Sequence, residues 1–352
     1  MSEEMSRRDF LKVSAAAGVA LIAGELVKGA GSTAYGAVKV PEIEKATIII
    51  ITDNYFDALR ADSKITKRYR GHPKSSIYDS NLHAEHGLAC YVETVVDGKP
   101  HALMFDFGVD SQGVGRNIGL LGIDFKTLEA LVLSHGHFDH WGAMTTLLKA
   151  QNEKVPQGIP LYVGEEAFLE RFFQSPNALI SLEFLNRENI ASLGSVKIVQ
   201  IKEPVAIIPG AYSSGRIDRV TEYEKIPPMF LVQRGDKKEQ DNFIGEQALI
   251  MNVKGKGLVV LSGCAHTGIV NAVRHAQKTT GVEKVHAVLG GFHLTGAKPE
   301  AIQRTVADIK SIKPDYIAPM HCTGHEAIAA FEREMPEQFI LNTAGTKYLF
   351  TA

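Results

Sequence analysis

From residue 46 onward, apolar positions fall into two textures: short β-branched runs, and longer stretches with three-to-four-residue spacing. Ala46 to Thr52 is a β-branched run and predicts a buried strand. Leu88 to Val96 and His101 to Asp106, joined across Asp97-Gly98, predict a hairpin. Ala130 to Leu133 predicts a short strand that ends directly on a histidine-rich loop, and Trp141 to Ala150 after it has helical spacing. Leu161 to Val163 and Val196 to Ile201 read as strands, with a helix from Glu165 to Phe173 between them. Ala248 to Val253 and Gly257 to Leu261 read as strands joined by the turn Lys254-Gly255-Lys256. Then follow a helix from Ile269, a strand at Val285 to Leu289, a helix from Pro299 to Ile312 and a strand at Tyr316 to Ala318. The stretch from Ser175 to Gln247 is less regular and carries Gly, Pro and charge clusters, which predicts a long insertion or lid rather than a second domain. Early antiparallel hairpins, later mixed β and α, and no Gly-x-Gly-x-x-Gly fingerprint argue against a nucleotide-binding doubly wound sheet.

Composition narrows this picture only a little. The 352 residues are 45% hydrophobic and 22% charged, ordinary globular values within reach of one large domain. A net charge of −2 gives no basic field for nucleic acid. Three cysteines, Cys90, Cys264 and Cys322, are too few for a disulfide framework, although one bridge is open to them in an oxidising compartment.

The N-terminus does not belong to the fold. Ser6-Arg7-Arg8-Asp9-Phe10-Leu11-Lys12 precedes an uncharged, Ala-rich stretch from Val13 to Gly24, too short to span a bilayer. It resembles a twin-arginine export signal, with small residues at Ala34-Tyr35-Gly36 where a signal peptidase would cut before Ala37. The expected division is therefore residues 1–36 as signal and 37–352 as one domain with an insertion around 175–247. Export by this machinery carries folded proteins, often with cofactor in place. No later apolar run approaches spanning length, so no further membrane anchor is expected.

The chemistry concentrates at Ser134-His135-Gly136-His137-Phe138-Asp139-His140. Imidazole and carboxylate donors suit zinc, iron or manganese, and four candidates on one short loop arrive with little loop-closure entropy. Gly136 permits a sharp turn. Three further motifs end later strands: Ser262-Gly263-Cys264-Ala265-His266, Gly290-Gly291-Phe292-His293, and Pro319-Met320-His321-Cys322-Thr323-Gly324.

The His-x-His-x-Asp-His pattern resembles the metallo-β-lactamase superfamily. That resemblance implies an α+β fold, a four-layer αββα sandwich with the site at one edge. It assigns His135 and His137 to a first metal, Asp139 and His140 to a second, His321 to the last metal histidine, and Asp106 to support of the His loop. The family's intermediate histidine, expected around residues 235 to 247, is missing. His266 is taken as its replacement, ahead of Cys264, for which a core-facing thiol is the alternative. His293 is either a hydrogen-bonded structural histidine or a group for substrate or proton transfer, and His86 in Glu85-His86-Gly87 is similar. Together with Ser214-Gly215-Arg216-Ile217, the later motifs resemble one branch of the superfamily, often labelled dihydropterin-ribofuranosylaminobenzene phosphate synthase-like. A pterin step belongs in the cytoplasm, and the export signal points away from it. Arg216 and Arg219 are placed to pair with a substrate phosphate or to cap a solvated loop.

The expected function is metal-assisted hydrolysis of a small molecule. One or two divalent ions, zinc first and iron or manganese as alternatives, activate a water that attacks an ester, lactone or phosphoester. Asp139 orients the nucleophile or passes a proton, and His293 stabilises the developing charge. The rival readings are a non-haem iron redox enzyme and a non-catalytic periplasmic metal or ligand carrier. The export machinery is the one protein partner implied.

Overall fold

The computed structural model describes residues 38–71 and 80–352. The export-signal reading of residues 1–36 lies outside them, and one compact unit spans Ala37–Ala352.

The chain enters through β1 (Glu42–Ile43), β2 (Lys45–Thr52) and β3 (Thr66–Lys67), then forms a hairpin of β4 (Ala89–Val96) and β5 (Lys99–Phe107). Asp97 and Gly98, at φ 51° and 71°, supply the two left-handed residues of its turn. Helix α1 (Ser111–Leu121) is capped by the Asp110 carboxylate, which accepts from Gln112 N, and stops at left-handed Gly122. β6 (Leu128–Leu133), α2 (Phe138–Trp141), α3 (Met144–Ala150) and β7 (Ile159–Val163) follow. The middle of the chain holds β8 (Arg171–Gln174), β9 (Leu179–Ser181), α4 (Arg187–Ala191), β10 (Val196–Gln200), β11 (Val205–Ile208), β12 (Ala211–Ser213), β13 (Phe230–Arg234) and β14 (Lys237–Gln240). The last third holds the hairpin β15 (Ala248–Val253) and β16 (Gly257–Ser262), then α5 (Ile269–Thr280), β17 (Val285–Gly291), α6 (Pro299–Ile312), β18 (Tyr316–Met320), α7 (His325–Glu334) and β19 (Lys347–Thr351).

Two large sheets face each other. One runs β10-β7-β6-β5-β4-β2-β19-β3, the other β11-β12-β15-β16-β17-β18 with β1 against β15. Their strands are apolar on both faces because both faces are covered. In β6, Ala130 and Val132 enter the core between the sheets, while Leu131 and Leu133 pack outward with Val114 and Ile118 of α1 and Leu147 and Leu148 of α3. In β16, Val259 and Leu261 face the other sheet, while Leu258 and Val260 meet Ile269 and Val273 of α5 and Ile309 of α6. The result is the four-layer αββα sandwich. Each fully buried aliphatic side chain stabilises it by roughly 1.5–3 kcal/mol relative to an exposed one.

Two expectations need correction. Glu165 to Phe173 does not form a helix: turns lead into β8, where Phe172 and Phe173 pair with Leu231 and Phe230 of β13. Pairing across the chain and a buried Arg171–Asp241 ion pair at 2.7 Å override the local helical spacing there. The stretch 175–247 is also not one insertion. β10 extends one large sheet and β11 and β12 the other, and only β9, β13 and β14 join β8 in a separate four-stranded sheet. Strands such as Lys237–Gln240, exposed throughout, carry no hydrophobic alternation for a sequence reading to find.

Candidate metal centre

Parallel pairing of β5 with β6, and of β16 with β17 and β18, sends the C-terminal ends of five strands into one cluster. Asp106, the loop 134–140, Cys264 to His266, His293, and His321 with Cys322 all follow such ends. The backbone there is forced. Asp106, Phe243, Ala265, His293 and His321 hold left-handed φ between 43° and 58°, a conformation that costs a non-glycine residue on the order of 1 kcal/mol or more. Buried acids hold two of these turns in place. Asp53 accepts from His321 N at 3.0 Å and from Asn342 Nδ2 at 2.7 Å, while Asn54 Nδ2 donates to His321 O. Glu246 accepts from His266 N at 2.7 Å, Thr267 N at 2.6 Å and Thr267 Oγ1 at 2.7 Å.

His135, His137 and His266 form a first pocket, one ring nitrogen of each lying within 4.8 Å of the others. Nε2 of His135, Nε2 of His137 and both ring nitrogens of His266 are buried without a hydrogen-bond partner. Such orphaned polar atoms cost about 1–3 kcal/mol each unless something binds them. Ser134 Oγ lies 3.0 Å from His135 Nδ1, turning its Nε2 toward the pocket. Phe243 lies flat on His266, with ring centroids 3.8 Å apart, and Phe230 of β13 stands beside His137 and His266. Burial pushes all three imidazoles well below their ordinary range, and neighbouring imidazoles add to it, so their lone pairs stay free. The chain bends sharply at Gly136, as expected, but without a left-handed backbone. Glycine stands there because a Cβ would strike the Arg171 guanidinium and the Ala167 carbonyl.

Asp139, His140, Cys264 and His321 form a second pocket, again within 4.8 Å, but here the facing atoms are already partnered and only His321 Nδ1 is not. Asp106 Oδ2 sits 2.6 Å from His140 Nδ1 and also accepts from Ser134 Oγ, while its Oδ1 accepts from Ser134 N. That leaves His140 Nε2 facing Cys264 Sγ at 3.0 Å and His321 Nε2 facing Asp139 Oδ2 at 3.1 Å. Burial alone would raise Asp139, but His140 and His321 hold it well below the usual carboxylate range. Burial would likewise lower His321, yet the Asp139 hydrogen bond and the Cys322 charge hold it up at about 9. His140 is raised in the same way, chiefly by Asp106 against its burial. His86 stacks on His321 with its Nε2 3.7 Å from Asp139 Oδ2, and its side chain is 61% exposed.

A third group, Cys264, His293 and Cys322, adjoins the second pocket. Burial and the neighbouring Cys322 push the Cys264 thiol well above its ordinary value. Cys322 is held well below its own, because interactions with Cys264, His293 and His321 outweigh burial.

The structure thus brings together His135, His137, Asp139, His140, His266 and His321, with Asp106 beneath them. The choice between His266 and Cys264 dissolves, since they occupy different pockets. Where an intermediate histidine was expected stands Glu246, clasping the backbone that delivers His266. Arg216 is not brought to the cluster. It is exposed, its N–H donates to Lys202 O at 2.8 Å, and its charge neighbours are Lys202 and Asp218. Asp53, Glu246, Phe230, Phe243 and Cys322 were missed; of these only Cys322, adjacent to His321, carried a local signal.

Known proteins resemble this chain in sequence and in fold. The sequence profile of the metallo-beta-lactamase superfamily matches residues 94–163. A Methanocaldococcus jannaschii protein, 7,8-dihydropterin-6-methyl-4-(beta-D-ribofuranosyl)-aminobenzene-5'-phosphate synthase, is 31% identical over 272 residues, covering 76% of this chain and 91% of its own. The chain belongs to the metallo-β-lactamase superfamily, in the branch of that synthase. A second M. jannaschii protein, itself uncharacterised, is 29% identical and covers 70% of this metallo-β-lactamase-fold chain and 86% of its own. A solved metal-dependent hydrolase of the β-lactamase superfamily superposes with a TM-score of 0.67 at 23% identity, over 87% of this chain and 100% of that one, which shows the shared fold. The profile of the twin-arginine translocation signal matches residues 4–24, which indicates export across the membrane. Among the described residues no helix is long and apolar enough to cross one.

Proposed function

We propose that this chain is an exported, metal-dependent hydrolase of a small ester, lactone or phosphoester. In this reading His135, His137 and His266 hold one divalent ion, and Asp139, His140, His321 and Cys264 hold a second. The observation that carries it is the convergence of buried imidazole nitrogens with no partner in the first pocket. They fit a divalent cation because neutral imidazoles offer lone pairs and nothing else in the protein uses them. Asp106 beneath His140, and Ser134 beside His135, supply the outer hydrogen bonds that fix ligand rings. A thiol in the second pocket favours zinc over manganese or magnesium.

Bound divalent ions supply Lewis-acid polarisation and a nucleophilic water at neutral pH. The remaining roles fall to the chain. Asp139 faces both pockets' histidines and orients the attacking group, while His86, exposed beside it, connects it to solvent. His293 and Phe230 flank the first pocket, with His293 3.9 Å from the His266 ring centroid, and they hold the substrate side of the cleft. Among the clustered histidines only His86 and His293 escape full burial, which suits a small molecule rather than a polymer. The synthase name belongs to the M. jannaschii relative; hydrolysis here rests on the site and the export signal.

The test is metal analysis of protein purified without added metal, together with assay on ester, lactone and phosphodiester substrates. Zinc with hydrolysis that His137→Ala abolishes is the expected result. Tightly held iron with a visible absorption band and no hydrolysis would overturn the reading in favour of redox chemistry.

A further inference from the structure

We propose that Cys264, Cys322 and His293 form a third cation position, rich in thiolate and joined to the second pocket through Cys264, that takes a borderline-to-soft ion such as Zn(II). The donor atoms of the three residues lie within 4.8 Å of one another. Both cysteines are buried, at 1% and 5% exposure, and neither is in a disulfide. The Cys322 thiol contacts the Cys264 carbonyl at 3.5 Å and interacts with the Cys264 and His293 side chains, while His293 Nδ1 is buried with no hydrogen-bond partner.

The glycine pair before His293 exists to make this approach possible. A Cβ on Gly291 would come within 2.7 Å of Cys322 Sγ and 3.2 Å of Cys264 Cα, and one on Gly290 would strike the Ser262 carbonyl. The glycines of the Gly-Gly-Phe-His motif, which supply no ligand to the two hydrolytic pockets, therefore pack two strand ends close enough for both sulfurs to face one imidazole. His293 accepts a left-handed backbone at φ 43° in doing so.

Two thiolates and an imidazole select zinc or copper(I) over magnesium, calcium or manganese. Three protein donors leave a tetrahedral ion one open position. A thiolate has lone pairs enough to bridge, and Cys264 Sγ, 3.0 Å from His140 Nε2, stands on the wall shared with the second pocket. Binding forms two metal–sulfur bonds and one metal–nitrogen bond and releases to solvent whatever protons the two thiols still carry, with no change of oxidation state. Two adjacent thiols in a chain carrying an export signal also gain protection from oxidation by being ligated before export. The position shares Cys264 with the second pocket but does not depend on hydrolysis being the reaction.

The mature chain, reduced and metal-free, is titrated with Co(II) under anaerobic conditions. Ions per chain and the thiolate-to-cobalt charge-transfer band are the readouts. Three ions are expected, one for each side-chain group. Cys322→Ser is expected to lose one ion and roughly two thirds of the band, since two of the three thiolate–cobalt bonds go with it. Should Cys322→Ser fail to give the native circular dichroism spectrum, His293→Gln, at a half-buried position, is expected to lose the same ion. Unchanged stoichiometry and band in a folded variant would overturn the proposal, as would a Cys264–Cys322 disulfide found by mass spectrometry in the exported protein. Loss of ions from His137→Ala reports separately on the hydrolytic pocket.

Discussion

The two main pockets lie side by side and are built from opposite electrostatics. The first is three neutral imidazoles whose inward nitrogens meet nothing, roofed by Phe243 and Phe230. The second is built of pairs, Asp106 with His140 and Asp139 with His321, in which each charge already has an opposite and His321 Nδ1 alone is left without a partner. An ion in the first pocket satisfies atoms that otherwise cost stability, whereas an ion in the second must displace interactions that already stabilise it. The first should therefore be the tighter site and the one whose loss the fold feels.

The most direct way to break that contrast is His266→Ala. Activity should fall about 10³-fold, or ~4 kcal/mol in transition-state stabilisation, and one ion per chain should be lost while the second pocket keeps its own. Retention of the first ion would show that His266 is a packing residue under Phe243. Metal removal by a chelator should come next. At free metal about 100 times Kd the bound ion contributes ~2.7 kcal/mol, so its loss should lower Tm by on the order of 4 °C in a domain of this size. In His321→Gln the same treatment should still lower Tm by most of that amount, because the stabilising ion sits in the other pocket. Asp106→Asn comes third. It unseats the His140 ring and should weaken metal in the second pocket about 10–100-fold, with the first little changed. Equal weakening of both ions would mean that Asp106 supports the whole loop through Ser134.

The smallest effect is a pH dependence that differs in sign between the pockets of the metal-free protein. His135, His137 and His266 are depressed below the ordinary 6.5, so the unfolded chain takes up protons that the folded one refuses. Their contribution is present above pH 6.5 and is lost as pH falls below it. His321 is raised to about 9, so its contribution is full below 6.5 and is lost as pH rises through about 9. Urea unfolding across this range should show both limbs, each sloping by up to about 1.4 kcal/mol per pH unit for each group. His321→Gln should flatten the alkaline limb alone. An unchanged alkaline limb in that variant would remove the ion pair from the account of the second pocket.

Legibility in the sequence followed the same division. Four donors of the loop from His135 to His140 stand within six residues after one apolar strand, and Asp106 ends the strand before it, so short-range pattern sufficed to find them. His266, His293 and His321 were visible as strand-end histidines, but not which pocket each enters, since that depends on how two sheets face each other. Asp53 and Glu246 left no signal. Each is an acid in an ordinary loop whose role is to accept backbone N–H groups far away in sequence, His321 N for one and His266 N for the other.

Contiguous pattern alone marked the core strands of the two large sheets, because residues buried on both faces must be apolar throughout, and it marked the His-x-His-x-Asp-His loop and the export signal. Glu165 to Phe173 becomes turn and strand through long-range contact alone, since its Phe and Arg side chains find partners on β13 and at Asp241. The three-dimensional fold alone places Cys264 and His266, two residues apart, in different pockets. A left-handed backbone at Ala265 between them turns their side chains apart, and that turn is held by a carboxylate 20 residues away in the chain.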